Sequence, residues 1–388
     1  MIARGDSRDD AAATLGISAN RAKADLKTVF ANYGVDSAAA LSRRVAEIAA
    51  LHGLAQACEV TVGLNGASSE LLRFVPRRWA SGRIAVVDHG PRGGRPVVIL
   101  HSNVTGRHHP AQFITALQAR GLRPIAFDRA GFGLTDPAPG TPTEAGVNDT
   151  IEVMAALDVD QPLVVARCCT ASVIASHLSA RGLVAGGVML WPEGPRKDEH
   201  RGRDLVDRSR AMFTRFPGLA RRFSEYVAAY ASDAVLERVW RTASRGYPLD
   251  AALFDDPTAK KEILRGTKQA VIGLTGMLDE ALELGLGPQP AAIDGHGWTL
   301  IYGDIEEDGD LSSAIAHWRH ALPMADLVKL PSGGNFLHMT HCADVADRVA
   351  GACIQARLAP DTAKLAIGAD WAAYTGHAYR RSVGQGSG

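Results

Sequence analysis

From about residue 70 onward the chain breaks into short β-branched runs separated by helical sequence, the pattern of a mainly parallel sheet covered by helices. The runs expected as strands are Arg83 to Asp88, Pro96 to His101, Pro124 to Asp128, Leu163 to Ala166, Ala185 to Leu190, Trp298 to Tyr302 and Leu327 to Leu330. Several end beside residues capable of chemistry. Residues 200 to 285 interrupt the alternation with amphipathic helical sequence, including Leu219 to Ala229 and Asp233 to Thr242. An insertion of that size, about 195 to 290, reads as a cap. Placed over the carboxyl ends of the strands, it would wall off a ligand pocket.

The stretch before the sheet has a different character. Asp9 to Leu15 predicts a short helix, Gly16 breaks it, and Ser18 is a good N-cap for a second helix to about Tyr33, ended by Gly34. Ala22, Leu26, Val29, Phe30 and Tyr33 form one apolar stripe on that second helix, with Arg21, Lys23 and Lys27 on or beside its exposed face. A third helix, about Ser37 to Leu51, supplies Leu41 and Val45 as packing. The expected organisation is a small all-α helix-turn-helix domain over 1–58, a large α/β domain over 70–357, and a tail over 358–388 that frays at its Gly- and Ser-rich end.

Lys+Arg and Asp+Glu both number 42 in the 388 residues, so no overall field draws the protein to nucleic acid or an anionic membrane, and any DNA contact must be local. No window approaches 18 apolar residues in a row, and MIARGDSRDD has no apolar core after its first charge; a cytoplasmic protein without a membrane span is expected. The five cysteines, Cys58, Cys168, Cys169, Cys342 and Cys353, lack CxxC spacing, which argues for reduced thiols and against a disulfide framework or zinc site. His338 and His341 have an H-x-x-H spacing, but loop histidines are more often solvated than ligating, so neither metal nor cofactor is expected.

The strand Leu163 to Ala166 runs into Arg167-Cys168-Cys169-Thr170-Ala171-Ser172 and then an apolar helix, a strand-turn-helix that offers Cys168 at the turn. Upstream stand Val98-Ile99-Leu100-His101 and Asp128-Arg129-Ala130-Gly131-Phe132-Gly133-Leu134-Thr135-Asp136; downstream stands Ser332-Gly333-Gly334-Asn335-Phe336-Leu337-His338. Together these resemble the α/β-hydrolase family: the strand into the oxyanion loop, the D-x-x-G-x-G-x-S-D turn, the nucleophile elbow, and the loop of the catalytic histidine. The resemblance implies an α/β-hydrolase-like mainly parallel sheet with a helical cap.

Two positions depart from the family pattern. The elbow G-x-S-x-G reads Ala166, Cys168, Thr170, and the branched Thr170 crowds a turn that glycine would relax. Cysteine is a feasible nucleophile if its thiolate is stabilised, but the catalytic histidine falls on Asn335, whose amide cannot act as a base. His338 or His341 would have to swing in. Glu306 is the candidate acid, with Asp304, Asp308 and Glu193 as alternatives; a solvated loop acid is the bland reading of Glu306. Ser102, Asn103 and the N–H of Cys169 are the candidate oxyanion donors, with Asn335 beside them as a ligand contact. A pocket with donors and a thiol but no base suits binding a carbonyl or carboxylate compound more than cleaving it.

Ala12-Ala13-Thr14-Leu15-Gly16-Ile17-Ser18, with Lys23, Leu26, Val29-Phe30 and Gly34-Val35, resembles the LuxR-type helix-turn-helix over about residues 3 to 46, its first helix cut short at Met1. That resemblance implies DNA as partner, contacted by Ser18, Arg21, Lys23 and Lys27, and a homodimer that matches paired half-sites. Asp25 stands where a phosphate-facing histidine is common and would repel DNA. The expectation is therefore a transcription regulator whose α/β-hydrolase-like domain binds a small ligand or dimerises. The competing expectation is a cytoplasmic hydrolase or acyltransferase that uses Cys168 on an ester, thioester or lactone, with His338 or His341 as base.

Overall fold

A computed structural model of the chain describes residues 7–33, 35–41, 45, 62–63, 71–194, 232–272, 274–286, 289–304 and 309–358. At the N-terminus α1 (Arg8–Leu15) and α2 (Ala19–Tyr33) meet across the turn Gly16-Ile17-Ser18. Ser7 caps α1 by accepting from the Asp10 N–H, and Gly16, at φ 64, ends it in the left-handed conformation that glycine adopts without strain. Ser18 Oγ accepts from the Arg21 N–H at 3.2 Å, as its sequence position predicts for an N-cap. Ala22 is buried, Leu26, Val29 and Phe30 half-buried, and the chain is helical again at 38–41. Arg21, Lys23 and Lys27 are exposed, with Arg21 paired to Asp25 at 3.1 Å.

The main body is a sheet of β1 (Val62–Gly63), β2 (Leu71–Pro76), β3 (Arg83–Asp88), β4 (Arg95–Leu100), β5 (Leu122–Phe127), β6 (Leu163–Arg167), β7 (Gly186–Leu190), β8 (Trp298–Asp304) and β9 (Asp326–Pro331). Their order is β1-β2-β3-β5-β4-β6-β7-β8-β9, antiparallel from β1 to β3 and between β3 and β5, parallel elsewhere. All seven expected strands form, each within two residues of its expected ends. The sheet also extends to β1 and β2, which the sequence pattern did not mark, so its first strand lies ahead of residue 70.

The central strands are apolar on both faces because helices cover both. Val98, Leu100, Val164 and Ala166 belong to one core cluster, while Val97, Ile99, Leu163 and Val165 belong to the other. The first side is covered by α4 (Pro142–Ala156) and α5 (Cys168–Ala180), the second by α3 (Ala111–Gln118). Gly187, at φ 150, pairs with Val164 where a Cβ would collide with the Val164 carbonyl oxygen, so this close strand pairing needs glycine. Helix α4 begins in a full capping box: Thr141 Oγ1 accepts from the Glu144 N–H, the Glu144 carboxylate accepts from the Thr141 N–H, and Pro142 opens the first turn. Thr141→Ala is expected to lower stability by about 1 kcal/mol, read as a shift of the urea midpoint at unchanged slope.

Buried polar pins hold the loops. Arg77 and Asp149 form a two-pronged ion pair at 2.7 and 2.8 Å with both side chains fully buried. The D-x-x-G-x-G turn is stitched by its own side chains. Asp128 accepts from the Arg107 and Leu134 N–H groups at 2.7 and 3.0 Å and pairs with the Arg107 guanidinium; Thr135 and Asp136 accept from the Ala85 and Arg83 N–H groups. Gly133, at φ 50, leaves room for the Asp128 carboxylate, which a Cβ would strike.

Between β7 and β8 the described residues form α6 (Asp233–Ala243), α7 (Pro248–Ala252), α8 (Pro257–Ile272) and α9 (Leu274–Leu286), the second part of the expected cap. The expected helix Asp233 to Thr242 is α6, whereas Leu219 to Ala229 lies outside the described residues. After β8 come α10 (Gly309–Ala321), α11 (Leu337–Thr340) and α12 (Cys342–Leu358), the last of which packs Val345, Ala346 and Val349 into the second core cluster. The tail 358–388 lies outside the described residues beyond Leu358. No helix among the described residues is long and apolar enough to cross a membrane.

Candidate active site around Cys168

Three non-glycine residues with positive φ stand just past the carboxyl ends of the strands: Cys168 at φ 61 after β6, Trp191 at φ 51 after β7 and Ser332 at φ 57 after β9. Such backbone strain collects at functional sites, where surrounding contacts over-determine it. The elbow therefore forms with Thr170 in place of glycine. Thr170 is 1% exposed, and its hydroxyl finds no hydrogen-bond partner.

The Cys168 thiol is half-buried. Burial pushes it up to about 12, and the Glu193 carboxylate adds to that; the Arg129 charge and the Asn103 N–H, directed at the sulfur, oppose it. The Asn103 backbone N–H is thus a donor at the Cys168 sulfur. Ser102 serves differently: its carbonyl accepts from His101 Nδ1 at 2.7 Å and its hydroxyl meets Thr105 Oγ1 at 3.0 Å. His101 Nε2 accepts from the Arg129 N–H at 3.0 Å, which places the ring proton on Nδ1. Burial and the Arg129 charge keep this imidazole neutral. Cys169 is half-buried beside the thiol.

No imidazole is brought to the sulfur among the described residues. Asn335 is exposed. Its loop is gripped from the cap: Asp250 of α7 accepts from the Gly334 and Phe336 N–H groups, both at 3.2 Å, and Leu249 N–H donates to Ser332 O. Burial raises Asp250 to about 6 despite those bonds. Tyr247 lies against Gly334, where a Cβ would come 2.5 Å from its Cγ, and meets Trp191 edge to face at 5.5 Å. His338 is buried, its ring centroid 5.7 Å from Phe113 and 6.3 Å from Phe336, and burial with the Arg167 charge holds it neutral. His341 bonds Thr340 instead, at 3.0 Å.

Glu306 and Asp308 lie outside the described residues, and Asp304 is exposed at the end of β8. Glu193, and less strongly Glu280, are acids whose charge reaches Cys168. Three residues that sequence reasoning did not single out also shape this region. Arg129 is 2% exposed, stacks on Phe132 at 5.1 Å and pairs with Glu280 of α9, one contact at 3.1 Å and a second shorter; Asp250 clamps the loop; Arg167 is buried behind the elbow. Only Arg129 carried a sequence signal, its place in the D-x-x-G turn. Among the described residues no group of three His, Cys, Asp or Glu side chains is placed to hold a metal ion.

A parallel sheet with an antiparallel edge, a strained residue on a strand-turn-helix and a helical insertion over the strand ends define the hydrolase class of α/β proteins. The profile of the alpha/beta hydrolase family matches residues 86–348, and the chain belongs to that family. A mutant of the Vigna radiata epoxide hydrolase superposes with a TM-score of 0.51 at 17% identity, over 73% of this chain and 98% of its own. A VrEH2 mutant in complex with SNO gives 0.50 at 17% identity, over 72% and 97%. At such identities the likeness shows the fold alone. None of these matches bears on DNA binding by α1 and α2.

Proposed function

We propose that the α/β-hydrolase domain binds a small carbonyl-bearing compound at Cys168 beneath its cap, with little turnover. One observation carries this reading: the Asn103 N–H acts on the sulfur, no imidazole does among the described residues, and Asn335, at the histidine position, is exposed. A thiol without a proton acceptor stays protonated and attacks slowly. The second reading, hydrolysis of an ester, thioester or lactone through Cys168, is favoured by family membership and by the strained elbow. p-Nitrophenyl acetate decides between them. Under the first reading no burst is seen and Cys168→Ala changes turnover less than about twofold; a burst of one product per chain, lost in that variant, establishes the hydrolase.

For α1 and α2 we infer a DNA-contacting, dimerising role, supported by two helices that meet across a three-residue turn with exposed Lys23 and Lys27 on the second. Arg21 is already held by Asp25. The phosphate contacts would thus fall to Lys23 and Lys27. Salt-sensitive duplex binding, weakened by Lys23→Ala and Lys27→Ala, would support this role, and no binding at low salt would end it.

A further inference from the structure

Arg167 is the last residue of β6, and strand alternation sends its side chain to the face shared by Leu163 and Val165, away from the core side that Ala166 fills. It is 5% exposed, and its guanidinium makes no hydrogen bond or ion pair among the described residues. Two imidazoles share this region. His109 is 3% exposed with neither ring nitrogen partnered, and His338 is 2% exposed with Nδ1 unpartnered. Both rings stand edge-on to Phe113, with centroids at 6.5 and 5.7 Å. Phe113 packs in the same core cluster as Leu163 and Val165, so the face of β6 to which Arg167 belongs is the one that carries both rings, and the Arg167 charge adds to burial in lowering the pKa of each.

Asp250 feels the Arg167 charge and also accepts from the Gly334 and Phe336 N–H groups, without a hydrogen bond to the guanidinium. The cluster is richer in N–H donors than in acceptors. An unpaired guanidinium at this depth carries a large desolvation penalty. A planar two-oxygen monoanion relieves it, because the guanidinium fork matches a carboxylate bidentately and each neutral imidazole adds one further N–H.

We propose that Arg167, His109 and His338 form a buried subsite for a small carboxylate, of formate or acetate size, held two-pronged by Arg167. The subsite stands whether Cys168 binds or cleaves. It is tested on the full chain by following the thermal midpoint, and heat by calorimetry, as sodium acetate or formate replaces sodium chloride at constant ionic strength. A saturable rise is expected with either carboxylate. Arg167→Lys, which keeps the charge but loses the fork, should bind about tenfold more weakly, and Arg167→Gln about a hundredfold or more. If Arg167→Gln does not fold, the lysine variant and His338→Gln, also expected to be weaker, carry the comparison. No response in the wild type, the same affinity in the variants, or chloride binding as tightly as acetate overturns the proposal.

Discussion

Asp149→Ala is expected to lower the unfolding free energy by roughly 3–5 kcal/mol, enough to shift the thermal midpoint by about 10 °C in a domain of this size. Asp149 and Arg77 are both fully buried, joined at 2.7 and 2.8 Å, and Trp79 Nε1 adds a third bond at 3.2 Å. Removal of the carboxylate leaves a guanidinium charge out of water without its counter-charge. That penalty, rather than the loss of attraction, sets the size of the effect. Arg77→Met combined with Asp149→Leu should therefore be less destabilised than Asp149→Ala alone, a coupling that a double-mutant cycle reads directly. Recovery stays incomplete because Arg77 also donates to Pro137 O at 3.0 Å and Asp136 O at 2.8 Å, and the double variant strands those carbonyls. A loss below about 1 kcal/mol for Asp149→Ala would mean the pair is solvated and contributes as a surface bridge does.

The same contrast between local and distant contacts explains what could be read in the sequence. Strands β3 to β8 were legible because each is a short, mostly buried apolar run bounded by turn residues, and half-exposed β9 because Leu327, Val328 and Leu330 keep it apolar. Leu71–Pro76 escaped notice because its run is broken by Arg73 and ends in Pro76, and two-residue β1, at the sheet's edge, has no pattern at all. The turn from Asp128 to Asp136 was legible for a different reason: its side chains bond backbone close by, so residue type and spacing encode the geometry. Cys168 shared that advantage.

Asp250 and Glu280 were not legible. They reach loop and turn across 84 and 151 residues, and nothing in a cap helix tells which of its acids will point inward. Asn335 shows the limit most plainly. Its place in the loop after β9 follows from sequence, but its exposure, in a loop that Asp250 holds on either side of it, does not. Arg167 sits between the last strand residue facing the core and the thiol, where a sequence reads only a spacer; its burial is a product of the folded packing.

The thiol itself should be slow. A side chain pushed up to about 12 has roughly one thiolate in ten thousand at pH 8, against about one in four for an ordinary thiol near 8.5. Greater intrinsic nucleophilicity of the more basic sulfur recovers part of this, with a Brønsted slope of about 0.4–0.5, which leaves alkylation by iodoacetamide about 50- to 100-fold slower than for a free cysteine. Cys168 must be followed alone, by peptide mass spectrometry in a Cys169→Ser chain, since the two are neighbours. The rate should climb close to tenfold per pH unit through pH 10, because burial, not a partner base, governs the thiol. A plateau reached below pH 8 would mean the reverse: a stabilised thiolate, held by a base the static arrangement around Asn103 and Glu193 does not bring to the sulfur, and with it a working nucleophile.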